Sequence, residues 1–550
     1  MGGRSPVPGA PSWCSRTRVR SRGICPPTRL ERRRRTRVAD TSTRYSLAHL
    51  AEESFARLGD HDALVFEGRT LRSSELVTRA RRATGGLIEL GVQRGDRCVV
   101  LMANCPEVLI TYNAVWRAGA VVTPVVFLTP AVELRHILTD SEAALIVTTE
   151  ELLGTVLAAA DGMHALKHIV VAGSGGAPPA DSRVVDFGTL ESGAEGPLID
   201  IGGDELAAVM YTGGTTGRAK GVMLTHRNLY TCGASLWETA NVPGITIGLI
   251  PLPLSHAYGM IVTVAGMHQD EPGLAIVQRW FNPIELLTLC EQHRVQRVSL
   301  VPAMIQMLLT QPLEDADLSS LRYVGSGAAP LAADVLHEFE RRVPGCEILE
   351  GYGCTESGAV IAANPPGRRR VGSVGLPIRD YAVRILDDDG VRLPVGQDGE
   401  ICVQGPGVMT GYWRSTDDTA AALRDGWLHT GDVGHVDADG YLYIVDRKKD
   451  LILRGGFNVF PRDVEDALLA HPDVAMAAVV GRPDVRLGEE VVAFVSLKDG
   501  ANVGEDELIA HARLRLSPTK CPRELHILDH IPLTSVGKLD RKALRAQISR

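Results

Sequence analysis

Short runs of apolar, β-branched residues alternate with helix-length segments from about Tyr45 onward, and this alternation restricts the fold more than any other feature. The runs are typical of strands that are covered on both faces. They lie at Cys98–Met102, Ala120–Val126, Ala143–Thr149, His168–Ala172, Leu206–Thr212, Gly248–Leu252 and Val298–Val301. The helix-length segments between them include Pro106–Ala118, Pro130–Leu138, Pro283–His293 and Leu331–Arg342. Strands that alternate with helices predict βαβ units and parallel sheets.

The pattern changes after Gly372, where Val383–Leu386 and Ile401–Gln404 predict antiparallel hairpins. A second change follows the Arg-Lys-Lys-Asp run at 447–450. We therefore predict an α/β chain with three parts: a large N-terminal domain of parallel-rich sheets covered by helices, a β-barrel-like subdomain, and a small mobile α+β C-terminal domain. The predicted bounds are a tail at 1–42, a large domain at 43–446, a hinge at 447–450 and a lid domain at 451–550.

The N-terminal tail differs from the rest of the chain in its charge. Residues 1–40 contain eleven arginines against Glu31 and Asp40, a balance of about +9, so the net charge of −8 leaves about −17 for the remainder. An acidic body argues against a nucleic-acid-binding protein. We interpret the tail as disordered, because its composition cannot bury a core. A transit peptide or a nucleic-acid-binding arm is the alternative.

The cysteine and apolar patterns bear on location. The ten cysteines are scattered without a CxxC pair or a His/Cys cluster at metal-ligand spacing, which is typical of reduced thiols in a cytoplasmic protein. The longest apolar stretch, around 118–128, is bounded by Arg117 and interrupted by Pro124. We therefore predict no transmembrane segment. The oligomeric state stays open between monomer and homodimer.

The segment Tyr211–Gly221 follows an apolar run directly and is rich in glycine and threonine. Its glycines allow close approach to an anion, the hydroxyls of Thr212, Thr215 and Thr216 can donate to phosphate oxygens, and Lys220 supplies positive charge. A flexible turn is the alternative, which the crowding of these residue types disfavours. No Ser or Thr follows the lysine, so the P-loop motif GxxxxGK[ST] is absent here.

This segment resembles the phosphate-loop motif of the adenylate-forming (ANL) superfamily, which includes acyl-CoA synthetases, adenylation domains of peptide synthetases, and luciferases. Gly214 and Ala219 stand where that motif usually has Ser and Pro. Further segments resemble the family's motifs in the family's order across about residues 45–545. They lie at 251–259, 326–331, 351–356, 427–432, 446–450, 455–458 and 532–541.

The resemblance implies a complete ATP site. It assigns the phosphates to Thr212, Gly213, Thr215, Thr216, Gly217 and Lys220, the adenine to Gly327, Ala328, Ala329 and Tyr352, and the ribose to Asp432 and Arg447. Thr355 would contact the α-phosphate, and Glu356 would bind Mg²⁺ together with the ATP phosphates. A single glutamate is more often a solvated surface residue, so these roles rest on the ordered series of motifs.

The resemblance also implies a catalytic set and a moving domain. The catalytic set comprises Lys538, Glu356, Thr355 and His256. Lys538 would neutralise charge on the carboxylate and the α-phosphate, and His256 would border the acyl pocket. Lys449 would be the hinge residue about which the small domain turns, so that Gly455 and Gly456 line a thiol tunnel. Outside the series, His256 would be interpreted as a packed residue and Lys538 as a solvated one.

The implied function is that of an ATP-dependent acid–thiol ligase of the acyl-CoA synthetase type, which uses ATP, Mg²⁺ and coenzyme A. A medium- or long-chain fatty acid is the expected substrate, with an aryl or cinnamate-like acid as the alternative. Small residues where the acyl tail should lie, such as Gly325 and Gly351, permit either. The alternative acceptor is the phosphopantetheine of a separate acyl carrier protein. A non-catalytic acyl-adenylate-binding scaffold would require the loss of Lys538, Glu356 or Asp432, and all three are present.

Overall fold

The computed structural model describes Gly2 and residues 45–173, 181–212, 218–455, 457–498, 500–534 and 538–548. The predicted Arg-rich tail, residues 213–217 of the predicted phosphate loop, and Gly456 lie outside these ranges. Among the described residues, no helix is long and apolar enough to cross a membrane. The eight cysteines in these ranges are free thiols.

The α-helices, numbered along the chain, are α1 Leu47–Leu58, α2 Ser73–Glu89, α3 Pro106–Arg117, α4 Ala131–Asp140, α5 Leu153–Ala160, α6 Phe187–Leu190, α7 His226–Ala240, α8 Ala257–Gly266, α9 Pro283–Gln292, α10 Pro302–Leu309, α11 Ala333–Arg342, α12 Thr416–Ala422, α13 Pro461–Leu469, α14 Glu505–Arg513 and α15 Arg541–Ile548. Short 3₁₀ helices occupy Glu150–Leu152, Leu313–Asp315 and Thr355–Ser357.

The strands are β1 Asp62–Phe66, β2 Arg69–Arg72, β3 Arg97–Leu101, β4 Val121–Val125, β5 Ala143–Thr149, β6 His168–Ala172, β7 Val184–Asp186, β8 Leu206–Thr212, β9 Lys220–Thr225, β10 Ile247–Ile250, β11 Leu274–Val277, β12 Arg297–Leu300, β13 Tyr323–Ser326, β14 Glu347–Tyr352, β15 Ala362–Ala363, β16 Leu376–Pro377, β17 Ala382–Leu386, β18 Gly399–Gln404, β19 Gly411–Tyr412, β20 Leu423–Arg424, β21 Trp427–Val436, β22 Leu442–Arg447, β23 Ile452–Arg454, β24 Phe457–Val459, β25 Val474–Asp484, β26 Gly488–Leu497 and β27 Glu524–Ile527.

Two large sheets form the centre of the N-terminal part. One has the order β19-β9-β8-β4-β3-β5-β6-β7, and the other has the order β16-β15-β14-β13-β12-β10-β11-β1-β2. Strands β3 to β8 pair in parallel in the first sheet, as do β10 to β14 in the second. This arrangement confirms the predicted α/β class with parallel-rich sheets. The apolar runs were readable because both faces of these strands are covered.

Helix α3 packs between the two sheets and joins their cores. Its two largest side chains, Tyr112 and Trp116, are fully buried. The Trp116 indole N–H donates to the carbonyl of Ala207 in β8 at 3.0 Å, and the Tyr112 hydroxyl donates to the carbonyl of Leu254 beyond β10 at 3.2 Å. Both polar tips are therefore satisfied inside the core. Helix α3 is thus tied by hydrogen bonds both to β8 and to the segment that follows β10.

The region after residue 372 contains a separate antiparallel sheet. Strands β17, β18, β21 and β20 lie side by side, and β22 pairs with β21. The predicted barrel-like subdomain is thus a five-stranded antiparallel sheet. From residue 452 onward the chain forms another sheet, of β23 to β27, with helices α13 to α15 and apolar clusters of its own.

The predicted elements differ from the observed ones mainly at their ends. The apolar run Ala475–Val480 predicts a strand, and the observed β25 extends from 474 to 484, four residues beyond the end of that run, because a polar end that pairs in a ladder carries no apolar signal. The hairpin of β1 and β2 was not predicted, since its burial pattern leaves most of β2 exposed. The predicted phosphate segment Tyr211–Gly221 includes Lys220 and Gly221, which the structure places at the start of strand β9, paired antiparallel with β8.

Candidate active site

Two connected cavities lie beyond the ends of the parallel strands, as is usual for ligand sites in such sheets. The outer cleft, of about 960 Å³, is lined by residues that follow β8, β12, β13 and β14, by β21 and β22, and by the loop that carries Lys538. The inner cavity, of about 500 Å³, extends between α7, α8 and strands β10 to β13. The residues shared by both are His256, Ala257, Ala328, Gly353, Cys354, Thr355 and Lys538. These seven residues form the junction.

At the junction, two backbone positions have geometries that a residue with a side chain adopts poorly or not at all. A Cβ on Gly353 would lie 2.1 Å from the carbonyl oxygen of Ala359, so no side chain fits there. Ala328 adopts a left-handed conformation with φ of +69°, which is strained for a residue with a Cβ. Both residues turn the chain sharply after β13 and β14. Ala328 and the following Ala329 line the outer cleft.

Asp432 stands at the centre of a hydrogen-bonded group in the outer cleft. It is 5% exposed, accepts a hydrogen bond from the Tyr352 hydroxyl at 2.6 Å, and pairs with the Arg447 guanidinium at 3.1 Å. Tyr352 and Asp432 are 80 residues apart in the chain. The structure thus brings together residues from three of the sequence motifs. Asp432 is the main cause of the raised pKa of Arg447.

Glu356 and Lys220 line the same cleft on its other side. Glu356 accepts a hydrogen bond from the Tyr412 hydroxyl at 2.9 Å, and no described Lys, Arg or His lies within ion-pair distance of it. Lys220 pairs with Asp418, and its ammonium lies 5.4 Å from the centre of the Tyr412 ring. Glu356 therefore retains oxygen capacity for a hard cation such as Mg²⁺, which prefers carboxylate and phosphate oxygens.

His256 caps helix α8 at the junction. Its Nδ1 accepts a hydrogen bond from the backbone N–H of Tyr258 at 3.2 Å, so the neutral ring carries its proton on Nε2. Burial, together with the charge of Lys538, lowers the pKa of His256 to about 3. His256 is therefore a neutral hydrogen-bond donor near neutral pH.

Lys538 reaches the junction from the small C-terminal domain. Its loop is closed by two hydrogen bonds: the Lys538 backbone N–H donates to the Thr534 hydroxyl at 3.1 Å, and the Thr534 N–H donates to the Lys538 carbonyl at 2.7 Å. Burial lowers the pKa of Lys538, and Arg447 lowers it further, whereas Asp432 and Glu356 act in the opposite direction. Lys538 thus borders both cavities, and it is influenced by the positive charge of Arg447 and the negative charges of Asp432 and Glu356.

The segment after β22 links the two domains. The buried Asp446 accepts a hydrogen bond from the backbone N–H of Arg462 at 3.0 Å. Asp450, also buried, pairs with Arg545 of α15 at 2.9 Å. Lys449 lies between these two fixed points and lines the outer cleft. Gly455 lines neither cavity, and Gly456 lies outside the described residues.

Most of the predicted site residues that are described lie around these cavities. The outer cleft includes Thr212, Lys220, His256, Ala328, Ala329, Thr355, Glu356, Asp432, Arg447, Lys449 and Lys538, and the inner cavity includes Gly327 and Tyr352. Gly213, Thr215, Thr216 and Gly217 lie outside the described residues. Sequence reasoning missed Tyr412 and Asp418, because neither belongs to a motif and their partners lie far away in the chain.

One further group near the outer cleft joins residues of metal-ligand type from β18 and β21. Glu400, Cys402 and His429 place one ligand atom each within 4.8 Å of one another. Lys448 lies 3.6 Å from Glu400, so a positive charge already stands beside this group. The distance in sequence between the two strands explains why no metal-ligand spacing was visible.

Comparison with known proteins accounts for this arrangement. The family model described as "AMP-binding enzyme" matches residues 51–413, about two thirds of the chain. The chain belongs to the AMP-binding enzyme family. The model of the C-terminal domain of the same enzymes matches residues 463–538. Together the two matches confirm the predicted membership of the adenylate-forming superfamily, of acyl-CoA synthetase type.

Two relatives cover nearly the whole length of this AMP-binding enzyme. A feruloyl-CoA synthase of an Amycolatopsis species is 38% identical over 497 residues, which are 89% of this chain and 96% of the relative. A long-chain-fatty-acid–CoA ligase of Bacillus subtilis is 35% identical, over 91% of this chain and 94% of the relative. The chain is therefore an ATP-dependent acid–CoA ligase by family, and ligases of this family use ATP, Mg²⁺ and coenzyme A.

Solved structures support the same assignment. The ATP-bound MatB of Rhodopseudomonas palustris has a TM-score of 0.81 and 32% identity, covering 91% of this chain and 98% of that one. The amide bond synthetase McbA of Marinactinospora thermotolerans has a TM-score of 0.81 and 30% identity, covering 91% and 99%. The anthranilate-CoA ligase AuaEII has a TM-score of 0.85 at 24% identity, which bears on the fold alone.

Proposed function

We propose that this AMP-binding enzyme activates a carboxylic acid bound in the inner cavity with ATP bound in the outer cleft, and then transfers the acyl group to coenzyme A. The observation that carries the proposal is the junction, where Lys538, His256 and Thr355 border both cavities. An acid that fills the inner cavity presents its carboxylate there. The carboxylate then meets the α-phosphorus of a nucleotide in the outer cleft.

The first half-reaction is an in-line displacement at phosphorus. A carboxylate oxygen forms a bond to the α-phosphorus, and the bond from the α-phosphorus to the bridging oxygen of pyrophosphate breaks. Lys538 holds its proton and offsets negative charge on the carboxylate and the α-phosphate, and Thr355 donates to the α-phosphate. His256 donates through Nε2 to a carboxylate oxygen. Glu356, with its free oxygen capacity, would hold Mg²⁺, which when bound offsets the phosphate charge.

The nucleotide is positioned by the group around Asp432. We propose that Asp432 accepts hydrogen bonds from the ribose hydroxyls, since its carboxylate is already oriented by Tyr352 and Arg447. Tyr352 presents its ring to the adenine, and Gly327, Ala328 and Ala329 offer backbone groups to it. Lys220 exchanges Asp418 for a phosphate oxygen when ATP is present. The threonines and glycines at 212–217 complete the phosphate contacts.

The second half-reaction requires a different arrangement of the small domain. We propose that the chain divides at a hinge at 447–450 into a large domain from residue 43 and a lid domain from residue 451, and that rotation about Lys449 withdraws Lys538. The thiol sulfur, losing its proton, attacks the acyl carbon, and AMP leaves. Gly455, which lines neither cavity in the present arrangement, would then face the thiol together with Gly456.

A pyrophosphate-release assay over a panel of fatty and aryl acids, with and without coenzyme A, tests this function. The expected result is acid-dependent pyrophosphate release, with an acyl-CoA product when the thiol is present. Absence of release with every acid would contradict the proposal. Replacing coenzyme A with a holo acyl carrier protein, or with an amine, tests the alternative acceptors.

The class of acid that the enzyme activates is also a proposal. A medium- or long-chain fatty acid is supported by the size of the inner cavity and by the Bacillus subtilis relative. An aryl acid is supported by the feruloyl-CoA synthase. The panel must therefore contain both classes.

A further inference from the structure

Arg297 is a cation on the wall of the inner cavity. It begins strand β12, and its side chain lines the cavity beside Tyr258 and Tyr323. Its guanidinium donates to the carbonyl of Ala240 and lies 5.9 Å from the centre of the Tyr323 ring. Among the described residues, no carboxylate lies within ion-pair distance of it.

Other deeply placed arginines of the described chain are paired with carboxylates. Arg117 pairs with Glu52, Arg454 pairs with Glu490 at 2.7 Å, and Arg541 pairs with Glu465 at 2.6 Å. Pairing of this kind is what offsets the cost of taking a charge out of water. Arg297 thus departs from the pattern of its own molecule, and it does so on a cavity wall.

The acidic residues of the inner cavity do not compensate Arg297. Asp270 and Glu271 line the cavity but are exposed and form no ion pair with it. Burial lowers the pKa of Arg297, and only the tyrosines at 323 and 258 act against that effect. A carboxylate or phenolate brought in by a ligand would therefore find a desolvated guanidinium with free donors.

The position of Arg297 separates it from the reacting end of the acid. Strand β12 runs from Arg297 on the inner cavity towards Pro302, which lines the outer cleft. The three steps from Arg297 to Leu300 alone span about 10 Å at the usual rise of a strand. Lys538 stands at the junction, at the opposite end. Of the two Lys or Arg residues among the described residues that line the inner cavity, Lys538 also borders the outer cleft, whereas Arg297 does not.

We propose that Arg297 binds an acceptor oxygen at the distal end of the acid, so that the preferred substrates carry a second oxygen group, a phenolic hydroxyl or a second carboxylate, instead of a plain hydrocarbon end. Tyr258 assists, because its hydroxyl lies beside Ser299 on the same wall. The proposal rests on the proposed function, since it assumes that the inner cavity holds the acid.

Matched acids test this assignment. The substrates are 4-hydroxycinnamate against cinnamate, and decanedioate against decanoate, each measured by acid-dependent pyrophosphate release. In the unmodified protein we expect kcat/KM to favour the oxygenated member of at least one pair by about 10- to 100-fold, the range for a hydrogen bond to a charged group. The pair that shows the preference identifies which oxygen group is bound.

Three variants assign that preference to the side chain. Arg297→Met should bring the ratio within the preferred pair close to one, and Arg297→Lys should restore part of it, because an ammonium keeps the charge without the planar fork. Arg322→Met is the matched control, since Arg322 is exposed, lines neither cavity and bonds only near its own turn. Its ratio should equal that of the unmodified protein. Thermal unfolding checks that each variant is folded.

The outcomes separate the two proposals. No pyrophosphate release with any acid would reject the proposed function itself. Release with equal kcat/KM within both pairs in the unmodified protein would overturn the role of Arg297, whether or not the variants fold. A preference that survives in folded Arg297→Met would overturn it as well.

Discussion

The outer cleft and the inner cavity use charge in opposite ways. The outer cleft interleaves both signs, with Asp432 beside Arg447 and Lys220 beside Asp418. The inner cavity is mostly apolar, and Arg297, which lines it but not the outer cleft, has no carboxylate partner among the described residues. From this contrast we infer that the residues of the outer cleft determine the proposed reaction, whereas the residues of the inner cavity determine which acid is bound.

The largest effect is expected at the junction, where the two regions meet. Lys538→Ala should lower the rate of acyl-AMP formation on the order of 10²–10³-fold, because it removes a charge aimed at the developing anion. Thioester formation from supplied acyl-AMP should be spared, since the proposed rotation withdraws the lysine. Single-turnover assays of the two half-reactions measure both rates. Lys498→Ala, at an exposed position outside both cavities, is the control, and equal loss in both halves would contradict the assignment.

The next effect is expected inside the outer cleft alone. Asp432→Asn should raise KM for ATP by about 10- to 100-fold, because it weakens hydrogen bonds to a charged group. The KM for the acid should change little, since Asp432 does not line the inner cavity. Asp439→Asn makes the same change at an exposed site paired with Arg370. A larger change in KM for the acid than for ATP would break the division between the two regions.

A substitution at the proposed hinge tests whether both half-reactions can take place in a single arrangement of the two domains. Lys449 lies between Asp446 and Asp450, which are each fixed by contacts to the small domain. Proline at 449 restricts φ there and the conformation of the preceding residue, so Lys449→Pro should slow transfer to the thiol by roughly tenfold or more while adenylation continues.

The readout is the accumulation of acyl-AMP, detected by mass spectrometry after quenching. Lys449→Ala removes the side chain without restricting the backbone, and it should transfer faster than Lys449→Pro. Thioester formation at the unmodified rate in a folded Lys449→Pro protein would show that rotation about this residue is not required.

The same division explains what could be predicted from the sequence. The α/β class was predictable because apolar runs mark the buried strands, and the motifs stand at strand ends, as Tyr352 ends β14 and Thr355 follows it. The contacts between motifs were not readable. The hydrogen bond from Tyr352 to Asp432 and the one from Tyr412 to Glu356 join residues 80 and 56 positions apart, and no local pattern encodes such a pair.

The residues that form the wall of the inner cavity were still harder to predict from the sequence. Arg297 is a single arginine at the start of the short strand β12. In the sequence it looks like any polar residue that precedes an apolar run. Its environment is set by Ala240, Tyr258 and Tyr323, which belong to three other elements. Specificity of this kind arises from long-range packing, so a list of motifs does not contain it.

The smallest effect is expected for the pH dependence of His256, and it sharpens the comparison because this residue borders both regions. A histidine is charged below its pKa, and burial beside Lys538 lowers the pKa of His256 to about 3. The ring should therefore stay neutral from pH 5 to 8, and His256→Asn should leave the shape of the pH profile of kcat/KM for adenylation unchanged over that interval. A limb near pH 6.5 that vanishes only in His256→Asn would show that the histidine titrates during the reaction and that the junction is more hydrated than its buried geometry implies.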